Sequence, residues 1–226
     1  MRKLTVLLTL VMLFPHSGCT FARLVGLVAT PTEHEKKIPA EYDLTKRKGQ
    51  KMLVLVHEPG WLGAQVNLRY YLTEAINENL QRKVRTEPEY LTGYDELSEF
   101  RSNHGNFSLL SAVEVGAALD ASMVLLVVVE DYQLTKMGET DYYKGFLAAR
   151  TVLLDVGSGE KLWPKSGESK TVRVGFEIES GGQAAAVRRL AADCAYCTVR
   201  YFYDCPKRRF KIADDRSDAA WDGWGK

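Results

Sequence analysis

Ser122-Met-Val-Leu-Leu-Val-Val-Val-Glu-Asp-Tyr-Gln-Leu-Thr-Lys136 is the stretch that decides the fold. Met123 to Val129 is apolar without a break and rich in β-branched residues, as expected of a central strand covered on both faces. From Glu130 the pattern splits. Tyr132 and Leu134 take one face, and Asp131, Gln133 and Thr135 take the other. Tyr142 to Val156 reads as a second long strand, with Phe146, Ala148, Val152, Leu154 and Val156 in phase. Arg150 shares that phase, so it either pairs with an acid or marks the strand's exposed end. Gly157-Ser158-Gly159 supplies a hairpin turn, and Glu160 to Trp163 opens the return strand. Lys170 to Glu179 alternates cleanly, Val172, Val174, Phe176 and Ile178 against Thr171, Arg173, Gly175 and Glu177.

Working outward, Met52 to Val56 reads as a buried strand ending at the turn His57-Glu58-Pro59-Gly60. Leu68, Leu72, Ala75, Ile76 and Leu80 predict a helix within 65–83. Val84 to Glu87 reads as a short strand. Residues 88–105 are loop-like, with a helical turn near Asp95 to Phe100. Phe107 to Leu119 predicts a helix capped by Ser108. Gly181-Gly182 precedes a last helix, Gln183 to about Tyr203, with Val187, Leu190, Cys194, Cys197 and Tyr201 in one stripe. The order of elements is α+β, or mixed α/β: a mostly antiparallel sheet with helices packed on it.

The chain has 226 residues, 46% hydrophobic and 26% charged, which suits one domain plus tails and excludes collagen-like, coiled-coil and wholly disordered chains. With 30 basic against 29 acidic residues, the net charge of +1 argues against a nucleic-acid binder.

The N-terminus carries an address. Arg2 and Lys3 precede the apolar run Leu4 to Phe14, which is too short to span a bilayer as a helix. Ser17-Gly18-Cys19 follows and resembles the lipobox of bacterial lipoproteins, with His16 where Leu is usual. The resemblance implies cleavage before Cys19, acylation of that residue, and removal of residues 1–18 as a signal peptide. Thr20, where Asp would favour inner-membrane retention, points to the periplasmic face of the outer membrane. Several acyl chains anchor stably where one binds marginally. A plain secreted protein and an uncleaved anchor helix are the alternatives. Residues 19–51 then read as the lipidated Cys and a charged tether, in which Lys46-Arg47-Lys48 is a solvated run or a headgroup contact. Residues 52–205 form the globular domain, and 206–226 a loose charged tail.

Two segments carry a second resemblance: Val115-Gly-Ala-Ala-Leu-Asp-Ala-Ser-Met-Val-Leu-Leu126, and Leu154-Asp-Val-Gly-Ser-Gly-Glu-Lys-Leu-Trp163. Both are similar to motifs of the TolB amino-terminal-like fold of bacterial lipoproteins, which includes curli-secretion and penicillin-binding-protein-activator lipoproteins. Ser122 stands where that pattern has Asp, and Ser158 where it has Thr. The amphipathic hairpins of a secretion channel are not recognisable.

Candidate chemistry is sparse. Cys194, Cys197 and Cys205 read first as buried packing thiols; a disulfide between Cys205 and one of the others, and a redox or metal role, are the alternatives. His57-Glu58 is the one pair placed like an active site, although a turn accounts for it. No catalytic residue, metal or cofactor is implied. Trp221 and Trp224 are candidate partner contacts. The favoured expectation is a non-enzymatic lipoprotein, held on the membrane by Cys19, that binds another envelope protein. One alternative is an exported enzyme with its site around His57-Glu58 and the loop 88–105. The other is an oligomerising subunit of an envelope transport or secretion assembly.

Overall fold

The computed structural model describes residues 37–63 and 66–206. Strand β1 is Lys37–Ile38 and β2 is Met52–His57. Helices α1 (Gly60–Gly63), α2 (Leu68–Asn79), α3 (Tyr94–Asn103) and α4 (Ala112–Ala118) follow. Then come β3 (Met123–Lys136), β4 (Tyr143–Asp155), β5 (Lys161–Trp163) and β6 (Lys170–Glu179), helix α5 (Gly182–Val199) and strand β7 (Cys205–Pro206). This is an α+β fold around a mixed five-stranded sheet.

The strands of that sheet run β2-β3-β4, and β5 and β6 share the far edge of β4. Only the β2–β3 pair is parallel, with Val54 opposite Leu125 and His57 opposite Val128. Both strands are buried on two faces. Met52, Val54, Val56, Leu125 and Val127 join the larger core under α2 and α5; Leu53, Leu55 and Val124 join a smaller one under α3 and α4. The continuous apolar run is thus explained by cover on both sides.

At Glu130 the β3–β4 register slips, Val129 facing Ala149 and Asp131 facing Ala148. This bulge keeps Tyr132 and Leu134 on the covered face. It also sets Glu130 beside Arg150 at 2.7 Å, so Arg150 pairs with an acid. In β4 the deeper face is the opposite of the expected one: Leu147, Ala149 and Leu153 are fully buried. Both phases of β4 are apolar, and only the position of α5 selects between them.

Other expectations are corrected. Residues 84–87 form no strand. A π-helical turn, Leu80–Val84, ends at Arg85 in the left-handed region (φ 65°), and the chain enters a 3-10 turn at Pro88. The turn near 95–100 is the ten-residue α3. The helix expected from Phe107 begins at Ala112. Its cap is Ser111, not Ser108: Ser111 Oγ accepts from Glu114 N–H, and Glu114 returns the bond to Ser111 N–H at 2.7 Å. The last helix stops at Val199 and tightens into a 3-10 turn through Phe202.

Residues 37–51, expected to belong to a charged tether, are docked on the domain. Lys37–Ile38 pairs antiparallel with Cys205–Pro206. Leu44 is buried in the core, and the Trp163 indole donates to Glu41 at 2.8 Å. Residues 37–51 therefore lie on the domain. Polar composition misled because a few anchors, not a run, fix the segment.

The β4–β5 turn is held by Asp155, which accepts from Ser158 N–H and Oγ at 2.8 and 3.0 Å. Those two bonds hold the Asp155 carboxyl below its ordinary value. A lowered carboxylate stabilises above its unfolded pKa, about 4, and that contribution is lost as pH falls through the folded value. The stability gap between wild type and Asp155→Asn, followed by urea unfolding from about pH 6 to about pH 2, should therefore narrow with acid; a constant gap contradicts the assignment.

A Cβ on Gly116 would meet Val124 Cγ2 at 2.5 Å and Val156 Cγ2 at 2.8 Å. Gly116→Ala gains about 1 kcal/mol of helix propensity but overpacks stiff valines, at a cost of about 1–3 kcal/mol. A net loss of about 1 kcal/mol is expected from the urea midpoint; a midpoint at or above wild type would refute the packing argument.

Candidate functional site

The parallel pairing of β2 with β3 ends at His57 and Val128, where β2 stops and β3 runs on to Lys136. Beyond them, on the α3/α4 side, lies a pocket of about 680 Å³. The sheet supplies Leu55, Leu126 and Val128, and the segment before α4 adds Phe107 and Leu110. The polar lining comes from His57 at the end of β2 and Glu58 after it, from Arg69 on α2, from Arg101 and His104 at the end of α3, and from Ser108. The structure thus gathers His57-Glu58 with the end of the 88–105 segment.

Glu58 is the deepest charge, its side chain 3% exposed. Arg69 Nε donates to its Oε1 at 2.5 Å, and Arg69 is itself one-third exposed. Glu58 Oε2 is buried with no hydrogen-bond partner. Arg101 is half-buried, and its guanidinium lies 4.6 Å from the Phe107 ring centroid. Its Nε is also buried without a partner. Burial first, and then the like charge of Arg69, lower the Arg101 pKa from its ordinary value, against the pull of Tyr94 and Glu58. His104 stacks on Phe100 at 3.9 Å, and its Nδ1 is 2.8 Å from the Phe100 carbonyl oxygen. His57 is exposed.

Sequence reading missed Arg69, Arg101 and Phe107. One signal was available. Leu97 and Arg101 are four apart, so Arg101 sits on the buried stripe of α3.

The other candidates lie elsewhere. Cys194, Cys197 and Cys205 are all buried in the larger core, with Tyr196 Oη 3.4 Å from Cys205 Sγ. Lys46 pairs with Asp43 at 3.1 Å, while Arg47, Lys48 and Arg85 line a hollow of about 50 Å³. Cys19, Trp221 and Trp224 lie outside the described residues. Among the described residues, no group of three or more His, Cys, Asp or Glu is placed to hold a metal, and no helix is long and apolar enough to cross a membrane.

No protein-family model matches the chain, and no curated protein does. Solved structures resemble it distantly. Lipoprotein GNA1162 from Neisseria meningitidis is 15% identical, over 63% of this chain and 93% of that one, with a TM-score of 0.41. A PelC dodecamer from Paraburkholderia phytofirmans is 14% identical, over 74% and 97%, also at 0.41. The LpoB C-terminal domain from Salmonella enterica is 19% identical, over 56% and 83%, at 0.36. A bacterial lipoprotein is thus among the structures the chain is similar to.

The Glu58–Arg69 pair should behave as a buried one. Removing one partner strands the other charge. Arg69→Met is expected to cost about 2–3 kcal/mol, and Glu58→Gln with Arg69→Met to recover part of that loss. A double-mutant cycle measures it; strictly additive effects would deny the coupling.

Proposed function

We propose that the chain is a lipoprotein of the bacterial cell envelope, anchored through acylated Cys19 on the periplasmic face of the outer membrane, and that its domain binds rather than catalyses. The observation that carries this reading is the run from Arg2 to Cys19, a short apolar segment closed by Ser17-Gly18-Cys19. The similarity of residues 115–126 and 154–163 to TolB amino-terminal-like lipoproteins supports it.

The domain's geometry accords with binding. Glu58 is engaged by Arg69. No hydrogen bond links Ser108, the hydroxyl in the pocket lining, to His57 or His104. Strand β6 is paired along one side only among the described strands, and Ile178 on it is 63% exposed. Such an edge suits an envelope-protein partner that adds a strand, or a second copy in a homo-oligomer.

The docking of residues 37–51 shortens the reach. Roughly 17 residues separate Cys19 from Lys37, spanning about 55 Å at full extension. The domain therefore works close to the membrane surface, and the lipid supplies effective concentration rather than contacts.

Cys19→Ala should move the full chain from the membrane pellet to the soluble fraction of fractionated cells, and mass spectrometry of the wild type should find residue 19 acylated. Unchanged sedimentation with an unmodified Cys19 overturns the anchor.

A further inference from the structure

We propose that the strand-end pocket binds an organic monoanion with an apolar body, its charged head on Arg101 and its body against Leu55, Leu126 and Val128. This goes beyond the envelope-binding reading and does not rest on Cys19.

Charge sets the head. The pocket holds two guanidinium groups and one carboxylate, and Glu58 is already paired with Arg69. Among the described residues no carboxylate lies within ion-pair distance of Arg101. One positive charge is therefore in surplus, which suits one negative charge; a dianion would meet the repulsion of Glu58 as well. Phe107 covers a face of the Arg101 guanidinium, so its N–H edge remains for ligand oxygens. The Arg101 side chain is among the pocket's lining groups, and a carboxylate or sulfonate oxygen would take a charge-assisted bond from its guanidinium.

The walls set the body. Leu55, Leu126, Val128, Phe107 and Leu110 offer no hydrogen bond to a hydrated inorganic ion. They favour carbon, and about 680 Å³ is a volume that small organic ligands occupy. Two exposed apolar residues adjoin the lining in sequence. Trp61 is 54% exposed and Leu109 83% exposed, and each is the chain neighbour of a lining residue. The place lies beyond the carboxyl end of β2, beside the strand parallel to it, and open sheets take ligands beyond strand carboxyl ends.

The test is photolabelling of the full chain in its native membrane or soluble fraction with a twelve-carbon carboxylate carrying a diazirine, compared with the matching alcohol. Labelled residues are mapped by mass spectrometry. The acid is expected to label pocket residues, to be competed by dodecanoate and not by inorganic phosphate, and to exceed the alcohol about tenfold. Arg101→Met should lower labelling about tenfold, and Arg101→Lys, which keeps the charge, should restore much of it. Ser108→Trp fills the mouth from an exposed position and should block labelling without touching Arg101. Equal labelling by acid and alcohol, labelling only outside the pocket, no labelling by the acid, or undiminished labelling in a folded Arg101→Met chain would each overturn the proposal.

Discussion

The parallel pairing of Met52–His57 with Met123–Val128 is the constraint from which the rest of the structure follows. Parallel neighbours cannot be joined by a tight turn, so the chain must leave one end of the pair and return to the other. Everything from Pro59 to Ser122 is that return path. It carries helices to both faces of the sheet, because both strands are apolar on both faces and neither face can be left to water. The crossover also makes the pocket. β2 stops at His57 beside Val128 while β3 continues, and α3 and α4 cover the adjoining face without closing over that end.

This constraint explains what was legible. Unbroken apolar runs at 52–56 and 123–129 require two-sided cover, and the clean alternation at 170–179 requires one-sided cover; these strands appear with the expected spans. The phase of β4 was not legible, because Leu147, Ala149 and Leu153 compete with Phe146, Val152 and Leu154 on equal apolar terms. Tertiary cover decides such cases. The docked segment 37–51 was hidden for a different reason. Its affinity for the domain rests on Leu44, on Glu41 and on two backbone bonds from Glu41 and Tyr42 to the Tyr201 carbonyl, none of which leaves a periodic trace. The pocket was half legible. His57-Glu58 stood out by position, whereas Arg69 and Arg101 are spread along helices and meet Glu58 only after folding.

The charges at the pocket show why a site can be assembled from distant parts. A carboxylate as buried as Glu58 is costly alone, and Arg69 offsets that cost from the first turn of α2. Arg101 does not share in the pair. Its burial is offset by contact with the Phe107 ring and in part by the pull of Tyr94 and Glu58. The same low dielectric that makes a lone guanidinium expensive makes it responsive to an incoming anion.

The two ends of the described domain lie together. Lys37 lies opposite Pro206 and Ile38 opposite Cys205, so the domain is entered and left at one place. The backbone of Glu41 and Tyr42 then bonds to Tyr201, extending that junction inward. The two short strands form one clasp at that place. The clasp is anchored from within by Cys205 and Tyr203, both buried in the larger core.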